Sequence, residues 1–305
     1  MRLVFAGTPS VAVSSLLALL DSDHEVVAVI SREDAPLGRK RVLTPSPVAQ
    51  AAEERGIRVL KANRLTEEMA ETVRELDADL GVIVAYGGLV REPLLSTPRH
   101  GWINLHFSLL PAWRGAAPVQ RSLIAGDSVT GASVFQLVPE LDAGDLFGTV
   151  QHTVDPDVTA GVLLDELADV GSELLVSVVD DIASGAATAV PQTGEVSLAP
   201  KLSLDDGRLD WTRTADELFN RYRGVTPEPG AHTTVNGARF KVVAARLRSD
   251  VSLAPGEFAF HDKAVLIGTG STALELVTVQ PAGKAAMRAA DWWRGLGPNP
   301  QIVAE

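Results

Sequence analysis

GWINLHFSLLPAWRGAAP, residues 101–118, decides how the chain is read. At a strand's period of two, Asn104, His106 and Ser108 share one face, and Ile103, Leu105 and Phe107 share the other. One side can pack in a core while the other presents an amide, an imidazole and a hydroxyl. Pro111, Arg114-Gly115 and Pro118 then prevent both a continued strand and a regular helix. A strand ending in an irregular loop is where open α/β sheets place their ligands. Two readings stand on this stretch alone. It is either a buried parallel strand whose polar groups are satisfied internally, or one wall of an active site. An Asn or His buried unpaired is costly in both cases.

Upstream, Arg2–Ala6 reads as a buried strand, Gly7-Thr8-Pro9-Ser10 as a turn with a capping hydroxyl, 10–21 as helix and 25–31 as a second strand. This β-α-β unit predicts a parallel sheet with right-handed crossovers. Residues 32–48 form a long, proline-rich connection that carries Arg39-Lys40-Arg41, three cations suited to phosphate contact but, taken alone, better read as solvated surface charge. Helix is expected over 45–56, a short strand at 57–60, and helix over 66–77 with Thr66 as its cap. A strand apolar on both faces follows over 78–87, ending in Ala85-Tyr86-Gly87-Gly88, where a ligand can approach backbone closely.

Downstream come a short helix at 118–126, a hairpin over 131–152 whose connection is residues 140–145, and a long amphipathic helix over 159–184. Residues 186–207 lose periodicity and read as a linker running over the surface. From Leu209 the pattern becomes β. One helix at 214–224, an Asn236-Gly237 hairpin and the strands EFAF, AVLIG and ALELVTVQ suggest a small, OB-like barrel. Gly268-Thr269-Gly270-Ser271-Thr272-Ala273 imitates a dinucleotide fingerprint, but strand rather than helix follows it, so that reading is rejected.

Composition bounds the chemistry. The 305 residues are 46% hydrophobic, enough for a sizeable core. The absence of cysteine removes disulfides, cysteine-ligated zinc and a thiol nucleophile. No signal peptide or membrane span is read, so a cytoplasmic, membrane-free protein is expected. A monomer is taken as the starting expectation, although nothing in the sequence fixes the oligomeric state. The net charge of −12 argues against a uniformly basic nucleic-acid binder. Its distribution is uneven, however. Residues 1–200 hold 14 basic and 27 acidic side chains, −13, whereas residues 201–305 hold 13 and 12, +1. The second part therefore repels a polyanion least. The six histidines show no paired ligand spacing, so no metal is predicted. Nucleophile elbow, zincin, Walker and EF-hand patterns are absent.

What remains is Asn104 and His106 on one strand face and Asp142 in the hairpin loop. Asp142 alone reads as an ordinary turn carboxylate. Together the three suit acyl transfer to an amine without a covalent enzyme intermediate. An Asn amide and a His N–H can donate to an oxyanion, imidazole has the pKa for moving the protons, and a carboxylate stabilises imidazolium.

The run NLHFSLLP (104–111), RGAAP (114–118), Thr130-Gly131 and Asp142-Ala143-Gly144 resemble the formyltransferase family that uses 10-formyltetrahydrofolate. LGRKRVLTPSPV (37–48), KLSLDDGRLDW (201–211) and QPAGK (280–284) are similar to segments of the members that act on initiator methionyl-tRNA, not of smaller relatives. The resemblance runs end to end. It implies an α/β fold with a Rossmann-like, mostly parallel catalytic domain over 1–188, a linker over 189–208, and an OB-like tRNA-binding barrel over 209–305. It implies formyl transfer from the folate to the α-amine of methionine on initiator tRNA. By motif match Asn104, His106 and Asp142 would be catalytic. Ser108, Leu109, Leu110 and Pro111 would contact the folate, with backbone from 83–88 and 139–144 lining the pterin pocket. Arg39, Lys40 and Arg41 would approach the acceptor stem. Gly88 and Arg91 make the segment after Tyr86 less apolar than in the family, and the linker lacks the usual aromatic residue. The alternative is transfer to a small amine, an amino sugar or glycinamide ribonucleotide, against which the 32–48 loop and the β-rich part argue. A non-catalytic RNA-binding protein is disfavoured by the intact Asn–His–Asp set.

Overall fold

The structure, a computed structural model, describes residues 1–38, 40–297 and 300–305. The chain divides into two compact units. Met1–Pro118, Val129–Thr153 and Leu164–Ala199 make the first; Val119–Ser128, Val154–Leu163 and Pro200–Glu305 make the second.

In chain order the first part runs β1 (Arg2–Gly7), α1 (Val13–Leu20), β2 (Glu25–Ser31), the ribbon strands β3 (Ala35–Leu37) and β4 (Val42–Thr44), α2 (Pro47–Glu54), β5 (Val59–Lys61), α3 (Glu67–Glu75), β6 (Leu80–Val84), β7 (Trp102–His106), β8 (Arg114–Gly115), α4 (Pro118–Ala125), β9 (Val129–Gln136), β10 (Leu146–Thr153), α5 (Ala160–Ser184) and β11 (Leu198–Ala199). Seven strands form one sheet in the order β10-β9-β7-β6-β1-β2-β5. The five from β5 to β7 are parallel, and β9 and β10 extend them antiparallel. From β1 the chain builds first towards β2 and β5, then reverses to β6 and β7. Such a reversal leaves a crevice beyond the carboxyl ends of the strands on either side of it. Val4, Ala6, Ile30, Ile83 and Trp102 fill one core cluster of this unit.

Local departures from the sequence reading have identifiable causes. Ser10 opens a 3-10 turn (Ser10–Ala12) without capping it, and α1 starts only at Val13. The Thr8 hydroxyl instead donates to the Tyr86 carbonyl (3.1 Å), tying the β1 end to the turn after β6. Ser46 caps α2 by accepting from the Ala49 N–H, whereas Thr66 has extended backbone but makes no side-chain cap bond. The strand expected at 57–60 begins at Val59 because the Ile57 N–H is taken by the Ala52 carbonyl (2.9 Å). Strand β7 ends at His106, so the alternation does not carry Ser108 onto the face of Asn104 and His106. The linker also makes more contacts than a stretch that only runs over the surface. Residues 190–199 are partly exposed, but they bridge to Leu146 through Val190 and pair as β11 with β8.

In the second unit, α6 (Ala215–Gly224) starts with a capping box between Thr214 and Glu217. Strands β12 (His232–Val235), β13 (Ala238–Arg248), β14 (Phe258–His261), β15 (Ala264–Gly268), β16 (Ala273–Pro281) and β17 (Met287–Arg288) follow, then α7 (Ala289–Arg294). They form an antiparallel sheet in the order β12-β13-β16-β15-β14, with β17 on β16. The turn at Asn236-Gly237 has both φ angles positive, as a two-residue hairpin requires. Val303 and Ala304 bridge to Glu257 and Val235, so the chain end reaches both sheet edges. Phe240, Phe258 and Trp292 pack together with ring centroids 4.7–6.2 Å apart. Strand β17 and α7 are too short to show a period in the sequence. Among the described residues no helix is long and apolar enough to cross a membrane.

Candidate active site

A cavity of about 460 Å³ lies where β6 and β7 end. Its walls come from Ile83, Ala85–Val90, Asn104–Phe107, Gly115, Ala116, Pro118 and Leu137–Asp142. The lining is largely apolar with a few convergent polar groups, the usual character of a small-molecule site.

His106 lines it and is buried, and its Nε2 lies 2.9 Å from the Trp113 carbonyl oxygen. A carbonyl can only accept, so in the neutral ring Nε2 carries the hydrogen and Nδ1 keeps its lone pair. Nδ1 lies 3.8 Å from Asp142 Oδ2, close enough for charge to be felt and too far for a direct hydrogen bond. Burial pushes the His106 pKa below its ordinary 6.5, opposed by the Asp142 carboxylate and the Trp113 carbonyl. The ring is therefore a neutral base at pH 7. Asp142 Oδ2 accepts from the Gly115 N–H at 2.7 Å, which aims the carboxylate at the imidazole. The Asn104 amide lines the cavity and has no hydrogen-bond partner among the described residues.

Three residues around the cavity hold left-handed backbone without being glycine: Ala85 (φ +48°), Trp113 (φ +64°) and Asp142 (φ +46°). Each such position costs about 1–3 kcal/mol and persists only where the surroundings over-determine it. Here the surroundings are hydrogen bonds. The Trp113 N–H donates to Ser197 Oγ at 2.9 Å, and the Asp142 carbonyl accepts from Gln192 Nε2 at 2.8 Å.

The structure thus brings Asn104, His106 and Asp142 to one cavity. It does not bring Ser108, Leu109, Leu110 and Pro111 there. The Ser108 hydroxyl donates to the Ala112 carbonyl (2.6 Å), the Leu110 N–H donates to Ser133 Oγ (3.2 Å), and Ser133 donates to the Ser108 carbonyl (2.7 Å). These residues brace the loop behind the wall, because the chain turns inward once the strand ends. Lys40 and Arg41 are exposed near the tip of the β3–β4 ribbon, beside the exposed Leu37, Val42 and Leu43. Arg39 lies outside the described residues. Among the described residues no group of three or more His, Asp or Glu is arranged to hold a metal ion.

Sequence reasoning missed the Trp113 carbonyl and Gln192. A backbone carbonyl leaves no mark on composition, and Gln192 sits in an aperiodic run where nothing marks it locally.

Comparison with known proteins meets this geometry. A family model described as formyl transferase matches residues 1–179, and one described as formyl transferase, C-terminal domain, matches residues 201–297. The chain belongs to the formyl transferase family. A relative from Leifsonia xyli, named methionyl-tRNA formyltransferase, is 64% identical over 97% of this chain and 98% of its own. One of the same name from Pseudarthrobacter chlorophenolicus is 56% identical with both chains covered completely. Among solved structures, an N-formyltransferase from Helicobacter canadensis, in complex with folinic acid and dTDP-3-aminofucose, has a TM-score of 0.69 at 17% identity, covering 92% of this chain and 99% of its own. HypX from Aquifex aeolicus in complex with tetrahydrofolic acid has a TM-score of 0.63 at 18% identity, covering 97% of this chain and 47% of its own. At such identities these two structures share the fold.

In this formyl transferase the loop carrying Asp142 leaves no room for a side chain at Gly144, where a Cβ would stand 1.7 Å from the Gln136 carbonyl oxygen. Gly144→Ala is expected to displace the loop and to destabilise the fold by about 1–3 kcal/mol. Turnover should fall with it, by at least tenfold under conditions where the variant remains folded. Thermal melts with activity assays check this; a variant with full turnover would detach the loop's position from catalysis.

Proposed function

We propose that the chain transfers a formyl group from 10-formyltetrahydrofolate to the α-amino group of methionine carried on initiator tRNA, in the cytoplasm, for translation initiation. The observation that carries the reading is near full-length similarity, at 64% and 56% identity, to relatives named for that reaction. The cavity is consistent with it. Its size and apolar walls suit the flat heterocycle of a folate, and its polar groups converge where an acyl group would sit. On this reading residues 1–188 are the catalytic domain, 189–208 the linker and 209–305 the tRNA-binding domain.

The reaction follows from the groups present. The amine lone pair attacks the formyl carbon, forming the new C–N bond, and the carbonyl becomes an oxyanion. Asn104 donates to that oxyanion. His106 Nδ1 takes the proton that the attacking nitrogen sheds, and the Asp142 carboxylate stabilises the imidazolium. The bond from carbon to the folate nitrogen then breaks, and that nitrogen receives the proton from His106. Atoms and charge balance without a covalent enzyme intermediate. A water between Nδ1 and Oδ2 would fit their 3.8 Å separation only after the pair opens slightly, so direct electrostatic support is the simpler role for Asp142.

The test supplies labelled formyl donor with purified methionyl initiator tRNA, free methionine, an amino sugar and glycinamide ribonucleotide as separate acceptors. Label is expected on the tRNA-borne methionine. Label on the sugar or ribonucleotide instead would overturn the reading.

Under the same proposal Lys40 and Arg41, with Arg39, meet the acceptor stem. Replacing all three by Ala should lower kcat/KM for the tRNA and reduce the slope of log kcat/KM against log salt by about 1–2. Stopped assays across a salt series measure this. An unchanged slope would mean that these side chains do not neutralise phosphate.

A further inference from the structure

We propose that Gln192 is a positioning residue for catalysis, acting through Asp142. The inference rests on the catalytic reading of His106 and Asp142 above. One side-chain amide joins the two loops that face the imidazole. Its Nε2 donates to the carbonyl oxygens of Asp142 (2.8 Å) and Gly144 (2.9 Å), and its Oε1 accepts from Arg114 Nε (3.1 Å) and Nη2 (2.6 Å). Two N–H donors and two lone pairs are all that a glutamine side chain offers, and all are used. Glu would supply no donor and Lys no acceptor, so the position demands an amide.

The clamp has something to hold. Asp142 lies in left-handed backbone (φ +46°), which a non-glycine residue adopts only under constraint. With its carbonyl and that of Gly144 fixed, its carboxylate is held 2.7 Å from the Gly115 N–H and 3.8 Å from His106 Nδ1. Five residues on, Ser197 does the same for the other side of the ring. Its hydroxyl accepts from the N–H of Trp113, also left-handed (φ +64°), whose carbonyl accepts from His106 Nε2. Residues 192–197 thus secure the groups facing both ring nitrogens, although no atom of Gln192 lines the cavity.

A double-mutant cycle on the full chain tests this, using whichever amine the wild type formylates. Gln192→Leu and Gln192→Glu are each combined with Asp142→Asn. Gln192→Glu keeps the volume and the acceptor for Arg114, so it serves if the leucine variant does not fold. Both single substitutions are expected to lower kcat by about tenfold or more while KM for donor and acceptor stays within about threefold. In the Asp142→Asn background the same substitutions should cost less than about twofold, because a residue acting through Asp142 has nothing left to position. Wild-type kcat in both Gln192 variants overturns the proposal. So does an equal loss in the two backgrounds, which is what general destabilisation would give. Full activity of Asp142→Asn alone overturns the catalytic reading and the proposal with it, whereas an impaired Asp142→Asn beside active Gln192 variants overturns only the proposal.

Discussion

Replacing His106 by Ala is expected to lower kcat for formyl transfer by about 10²- to 10⁴-fold, the range supplied by a positioned general acid–base. Affinity for methionyl-tRNA should change little. The imidazole is buried in the cavity wall, while Lys40 and Arg41 stand exposed at the turn of the β3–β4 ribbon. The variant also loses the hydrogen bond to the Trp113 carbonyl, but that group lies in a loop otherwise tied to Ser197 and β11. The loss should therefore appear in turnover before it appears in folding. Single-turnover kinetics with saturating donor, together with equilibrium tRNA binding, separate the two. Turnover within a few-fold of wild type would remove His106 from the chemistry.

The second large effect belongs to Asn104. Its amide lines the cavity from the same strand as His106 and has no hydrogen-bond partner among the described residues, so it can donate to an incoming oxygen without breaking a bond. Asn104→Ala should lower kcat by about 10²- to 10³-fold, roughly 3–4 kcal/mol of barrier, as when one oxyanion donor is deleted. KM should move much less, because the donor is most valuable when charge has developed on the oxygen. An equal rise in KM with unchanged kcat would assign Asn104 to ground-state binding.

How much of this was legible can be judged residue by residue. The parallel sheet follows from β-α-β spacing, and β6 reads as a central strand because apolar residues occupy both of its faces. Asn104 and His106 could be paired from strand alternation alone; Asp142, by itself an ordinary turn carboxylate, joined them through the chemistry the three could do together, and the family resemblance then matched all three. Ser108 misled, because a period of two holds only while the strand continues, and β7 stops at His106. The linker misled for a related reason. Low periodicity indicates absence of regular structure, not absence of contacts, and Gln192, Ser197 and β11 spend their hydrogen bonds on loops about 50 to 85 residues upstream. In the second unit the hairpin at Asn236-Gly237 was plain. The bridges made by Val303 and Ala304 were not, since an isolated bridge has no repeating pattern.

Proton transfer at Nδ1 requires that His106 be held as a neutral ring protonated on Nε2. The sign is set by the buried ring: desolvation disfavours imidazolium more than Asp142 and the Trp113 carbonyl favour it, so the proton is lost below the ordinary midpoint of 6.5. Nitrogen-15 NMR of the imidazole, titrated in the full chain with His106→Ala as the assignment control, reads tautomer and midpoint together. The predicted result at pH 7 is a neutral ring protonated on Nε2 with Nδ1 bare, titrating below 6.5. A ring protonated on Nδ1 at pH 7, or one that titrates above 6.5, would contradict it.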